Sequence, residues 1–134
     1  GSTYRYRGNL YYSLAKISAI HLAAAMAEEL RPYQVTALSV TPGFLRSEQM
    51  LDHFGVTEDN WQDAAAQDPH FIESETPYFL AQGIAALAAD PSVADKSGKA
   101  LTSWDLSDEY GFSDIDGRRP HWGNYAKKQG LPLS

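Results

Sequence analysis

Gln34-Val35-Thr36-Ala37-Leu38-Ser39-Val40-Thr41-Pro42-Gly43-Phe44-Leu45-Arg46-Ser47 is the segment on which the architecture turns. Its first seven residues are short, β-branched and mostly apolar at both odd and even positions, so neither face suits water. A strand of this kind, expected over residues 34–40, belongs in a parallel sheet covered by helices. Thr41-Pro42-Gly43 then ends it, since proline has no amide hydrogen to give a ladder and glycine accepts turns that other residues resist.

Upstream, residues 12–30 are expected to form a helix, stopped at Arg31-Pro32 because proline drives the residue before it out of the helical region. Asn9 suits its N-cap. Leu14, Ile17, Ile20, Leu22, Met26 and Leu30, with Ala19 and the alanines from 23 to 27, lie nearly all round it. Such a helix is expected to be buried on more than one side. Tyr12 and Lys16 stand one turn apart on one face, and no other tyrosine has a lysine at that offset. An ammonium beside a phenol favours the phenolate, the form that accepts a proton. The plainer reading is an exposed helix pair worth a few tenths of a kcal/mol.

Taken together, Tyr12-x-x-x-Lys16 on an alanine-rich helix, the strand Val35-x-x-Leu38-x-Val40 and the turn Pro42-Gly43-x-x-x-Ser47 resemble the C-terminal half of a short-chain dehydrogenase/reductase, across residues 8–112. The resemblance implies an α/β fold, the second half of a doubly wound, Rossmann-like parallel-sheet domain with a helical lid insertion. It implies an NAD- or NADP-dependent oxidoreductase interconverting an alcohol and a carbonyl. Tyr12 would be the general acid/base and Lys16 would hold the cofactor ribose. The backbone of Pro42, Gly43 and Phe44 would lie near the nicotinamide, and Ser47 stands where the family commonly has threonine. The family's assisting serine would fall at or before residue 1, and Ser2, ten positions ahead of Tyr12, is too close for that role. A homo-oligomer formed through the first helix is a further implication.

Downstream, residues 47–75 form an excursion longer than an α/β connection needs, and excursions of this sort are usually lids or binding loops. Two helical patterns lie within it, Ser47 to Phe54 ending at Gly55, and Thr57 to Gln67. Met50, Phe54 and Trp61 either wall an apolar substrate pocket or pack the lid onto the core. A helix over 76–89 follows, with Ser74 or Glu75 as its cap and Pro77 in its first turn. Residues 99–106 read as a second strand. In the tail, 112–134, Trp122, Tyr125, Leu131 and Leu133 are expected to anchor it, and Arg118 and Arg119 to be solvated.

The composition sets limits. A net charge of −6 over 134 residues argues against a nucleic-acid footprint or binding to an anionic membrane surface. No apolar run approaches a membrane span by eye, and no signal peptide precedes the first helix, so a cytoplasmic enzyme is the expectation. The absence of cysteine rules out disulfides and thiolate metal sites. His21, His53, His70 and His121 are isolated, without a His-Glu-x-x-His, which disfavours a metal hydrolase. No two glycines stand two positions apart, so no dinucleotide-binding glycine turn is present. The chain therefore reads as the second half of a domain, active only with the first half and acting on a small molecule with an apolar portion. The alternative is a cofactor-free fragment serving oligomerisation or partner binding.

Overall fold

The computed structural model describes residues 6–132, so Ser2 and Leu133 lie outside the described residues. The architecture is mixed α/β, and the chain divides into two compact units.

Among the described residues, the first unit comprises 6–41 and 86–101. Its long helix α1 (Leu10–Leu30) begins where Asn9, in extended backbone, accepts the Tyr12 N–H on its side-chain oxygen at 2.9 Å. A single 3-10 turn, Arg31–Tyr33, ends it at Pro32, and Gln34 then takes a left-handed φ of 58°. Within α1 only Ala23 and Ala27 are buried. Leu14 and Leu22 stand more than half exposed, which corrects the expectation of burial on several sides. The reason is one of scale: a 21-residue helix is about 30 Å long, whereas a three-residue strand covers about 10 Å. The stretch Leu10–Tyr33 also has the length and apolar composition of a membrane span, against the sequence expectation. Its alanines carry that apolar character without forming an obvious run, and core helices of soluble proteins meet the same measure.

Strand β1 (Ser39–Thr41) pairs in parallel with β2 (Ala100–Thr102). The strand expected over 34–40 is therefore shorter and starts later. Ala37, expected in the ladder, gives its N–H to the Ser97 hydroxyl at 3.2 Å and its carbonyl to the Gly98 N–H at 2.6 Å. Gly98 can close that turn because it sits at a φ of +82°.

The second unit comprises Pro42–Ala85 and Thr102–Leu133. Helix α2 (Glu48–Phe54) is capped by Ser47 and closed by Gly55 in the left-handed region, as the sequence suggests. The second lid helix, expected from Thr57 to Gln67, is instead a turn followed by 3-10 segments at Trp61–Ala66 and Pro69–Glu73. Asn60 accepts the Thr57 N–H at 2.7 Å and so holds the chain in a turn where a helix would have started. Helix α3 (Pro77–Ala89) follows. The amide just ahead of it, Thr76 N–H, is taken neither by Ser74 nor by Glu75 but by Asp114, at 2.8 Å.

The strand expected over 99–106 ends at Thr102 and becomes helix α4 (Ser103–Tyr110). Thr102 accepts the Asp105 N–H at 3.2 Å and donates its hydroxyl to the Asp105 carboxylate at 2.8 Å, a variant of the capping box that overrides strand continuation. Gly83 admits the neighbouring turn of α4: a Cβ there would stand 3.1 Å from Leu106 Cδ1. The tail also contains a helix, α5 (Trp122–Gln129), capped through the His121 ring and ended by Gly130. Trp122 packs edge-on against Phe44, and Tyr125 meets His70 at 3.1 Å, so both act as anchors within this unit. Arg119 is exposed and Arg118 partly so, as expected, but both also bond the body of this unit. Arg118 donates to the carbonyls of Ile72 and Ser74, and Arg119 to that of Ser107.

Candidate functional site

In the first unit, the Asn9 cap fixes the start of α1 so that Tyr12 and Lys16 fall one turn apart. Lys16 Nζ lies 5.3 Å from the centroid of the Tyr12 ring, and Tyr12 is 47% exposed. The structure thus brings the two sequence-predicted residues together on an open face. The attraction of an ammonium for a ring face keeps the two side chains together, and exposure leaves the tyrosine side chain reachable.

The second unit holds the turn Pro42-Gly43-Phe44 and Ser47. Gly43 is in close quarters: a Cβ there would lie 2.6 Å from Trp122 Cβ and 3.1 Å from a Glu75 carboxylate oxygen. The Gly43 N–H donates to Glu75 Oε2 at 3.0 Å. The Phe44 carbonyl accepts the Glu75 N–H at 2.9 Å, and the Arg46 N–H reaches the Glu75 carbonyl at 2.7 Å. Ser47 is the cap of α2, accepting the Met50 N–H at 3.3 Å, so the predicted cofactor contact also has a structural duty.

Met50, Phe54 and Trp61 come together in one cluster around Phe71, which is fully buried. Phe44, Phe54 and Trp61 all meet the Phe71 ring at 4.8–6.1 Å between centroids. Of the two readings open for these residues, packing of the lid within its own unit is the one these contacts describe. Above Trp61 sit two guanidiniums, Arg46 at 4.0 Å and Arg118 at 4.7 Å from the ring. Arg46 is 2% exposed and is paired with Glu58 and Asp116 and hydrogen-bonded to Ser74. Burial alone would raise Asp116, but the Arg118 hydrogen bonds and the charges of Arg118 and Arg46 outweigh it and hold the carboxyl below its usual range.

Glu75, assigned from the sequence only as a helix cap, is a titratable group strongly altered by the fold. It is 1% exposed, its Oε2 also accepts the Ser103 hydroxyl at 2.8 Å, and among the described residues nothing hydrogen-bonds its buried Oε1. Burial pushes its carboxyl up to about 7; the bonds from Ser103 and Gly43 oppose this, and the Asp114 charge adds to it. The folded chain therefore keeps this proton to higher pH than the unfolded chain, whose carboxyl titrates near 4.5. Stability should fall as pH rises from about 4.5 to about 7, by on the order of 3 kcal/mol once Glu75 is fully ionised. Thermal melts at pH 5 and pH 8 check this. Glu75→Gln should remove most of the difference, and an unchanged difference in that variant would show that another group is responsible. Asp116 does not confuse the window, because its contribution is lost only as pH falls below the ordinary carboxylate range.

No family model matches the chain. It is similar to the mouse protein named Dehydrogenase/reductase SDR family member 1, at 38% identity over 112 residues, 82% of this chain and 36% of that protein. The human protein of the same name is 35% identical over 121 residues, 85% of this chain and 37% of that protein. The chain thus spans little more than a third of the length of these curated relatives.

Proposed function

This chain is a relative of the short-chain dehydrogenases/reductases over most of its length, and we propose that it carries the proton-transfer residues of an NAD(P)-dependent oxidoreductase interconverting an alcohol and a carbonyl. The observation that carries the reading is the placement of Lys16 against Tyr12 on an exposed face of α1.

Each unit, taken by itself, offers groups whose chemistry suits the nicotinamide and ribose of such a cofactor. Lys16 offers an unhindered ammonium for ribose hydroxyls, Ser47 a hydroxyl at a helix start, and Pro42, Gly43 and Phe44 a turn at the end of a strand, where ligands bind in open α/β sheets. They do not suit the diphosphate end, since no two glycines stand two apart to let backbone amides approach it. That end would be held by residues outside this sequence. A bound nicotinamide would accept or return a hydride at the carbinol carbon. Tyr12 Oη takes the hydroxyl proton as the carbonyl forms and gives it back in the reverse direction. Lys16 stands against the tyrosine ring throughout these events. The lid residues Met50 and Phe54, only partly buried against the Trp61–Phe71 cluster, would shape the approach of a substrate with an apolar portion.

On the same helix, exposed Leu14, Leu22 and Met26 support a covering partner, in this reading a second copy of the chain. That surface is also what a cofactor-free interaction module would use. A tracer experiment separates the two. The protein carrying this chain, given reduced nicotinamide nucleotide deuterated at C4 and a panel of apolar ketones and aldehydes, should place deuterium on the carbinol carbon of a product. Failure to bind either nucleotide would sink the oxidoreductase reading and leave the module.

A further inference from the structure

We propose that Glu75 is a positioning residue for the cofactor: its carboxyl and its peptide group clamp the Pro42-Gly43-Phe44 turn into the one shape that meets the nicotinamide end of NAD(P). This rests on the reading under Proposed function and adds to it a residue that no motif marks. A glycine in a ligand-facing turn is the most freely rotating residue available, so a turn built on one needs its amide held from behind. Glu75 supplies that hold. The Gly43 N–H is bonded to Oε2, the Phe44 carbonyl to the Glu75 N–H, and the Arg46 N–H to the Glu75 carbonyl. Two groups of one short turn, and the Arg46 amide just beyond it, are thus committed inward to a single residue roughly thirty positions away. The parallel bridge between Leu45 and Glu75 sets the register of that clamp.

The clamp is itself held. The Ser103 hydroxyl, fully buried at the start of α4, bonds the same Oε2. Trp122 fills the space where a Gly43 side chain would project, a Cβ there lying 2.6 Å from Trp122 Cβ, leaving no room for Gly43 to shift toward it. Because one oxygen takes both hydrogen bonds, the function asked of Glu75 is reach, not charge. Its raised titration agrees, since a neutral side chain suffices to accept both bonds.

Reach and charge separate by substitution. Glu75→Gln keeps the length and an acceptor oxygen while removing the charge. Glu75→Asp keeps the charge while drawing the acceptor back from Gly43 by one methylene. In the protein carrying this chain, binding of NADH and NADPH is read from the fluorescence of the reduced ring, and exchange of the Gly43 amide from NMR. The proposal expects Glu75→Gln to bind within about threefold of the parent with Gly43 still protected. Glu75→Asp should bind about tenfold more weakly with Gly43 exchanging faster, the scale of one lost hydrogen bond. Any other pattern overturns it: both variants like the parent, or the Gln variant weakened. If the Asp variant does not fold, the Gln variant still decides, since weakened binding there makes charge the requirement. If the parent binds neither nucleotide, the functional reading fails, and Gly43 exchange in the two variants still judges the clamp.

Discussion

On the proposed oxidoreductase reading, replacing Tyr12 by phenylalanine should cut turnover by roughly 10²–10⁴-fold, the usual worth of a positioned acid/base group. The change removes one oxygen and little else. The ring that Lys16 approaches at 5.3 Å remains, the Asn9 cap bonds the backbone of residue 12 and not its side chain, and phenylalanine and tyrosine have similar helix propensity. Stability and nucleotide affinity should therefore stay close to those of the parent, placing the loss in kcat. Steady-state kinetics beside nucleotide binding distinguish this from a structural role. Full turnover in the variant would remove Tyr12 from the mechanism, and a loss confined to nucleotide affinity would make it a binding residue.

The second large effect concerns Trp61. Truncation to alanine should cost about 3–5 kcal/mol, the range for deleting a buried aromatic, and lower the melting midpoint by roughly 10–20 °C. Trp61 is 7% exposed, meets the Phe71 ring edge-on and lies beneath two guanidiniums. Its removal takes away ring contacts and also the face against which Arg46, a buried charge, is stacked. Arg46 would keep Glu58, Asp116 and Ser74, so the damage should stay short of an unpaired buried charge. Calorimetry on the variant reads this directly. A midpoint that does not move, with an altered range of accepted substrates, would return Trp61 to the role of a pocket wall.

Both predictions bear on what the sequence made legible. Periodicity and end signals placed α1, α2 and α3 well, because caps such as Asn9, Ser47 and Gly55 act through neighbours three or four residues away. The Tyr12–Lys16 pairing was legible for the same reason, being a property of helical spacing. What stayed hidden depends on partners far along the chain. The late start of β1 is set by Ser97 and Gly98, and the amide ahead of α3 is satisfied by Asp114. Glu75 read as one more acidic residue before a proline. Nothing local marks a carboxylate whose partners are Gly43 and Ser103. The helix α4 could have been found, since Thr102 and Asp105 carry a capping signature, but the alternation of residues 99–102 masked it. In the tail, Arg118 looked like an ordinary surface cation because the carbonyls it bonds belong to residues 72 and 74.

The close approach of Trp122 to Gly43 has a bearing on the order in which the protein can be finished. During synthesis the Pro42–Phe44 turn emerges before Ser103, which steadies its clamp, and well before Trp122, which blocks its retreat. Contacts between distant parts of a chain close slowly. A growing chain would therefore hold a loosely shaped turn until α5 is made and seated, so competence of that turn waits on a helix about eighty residues downstream.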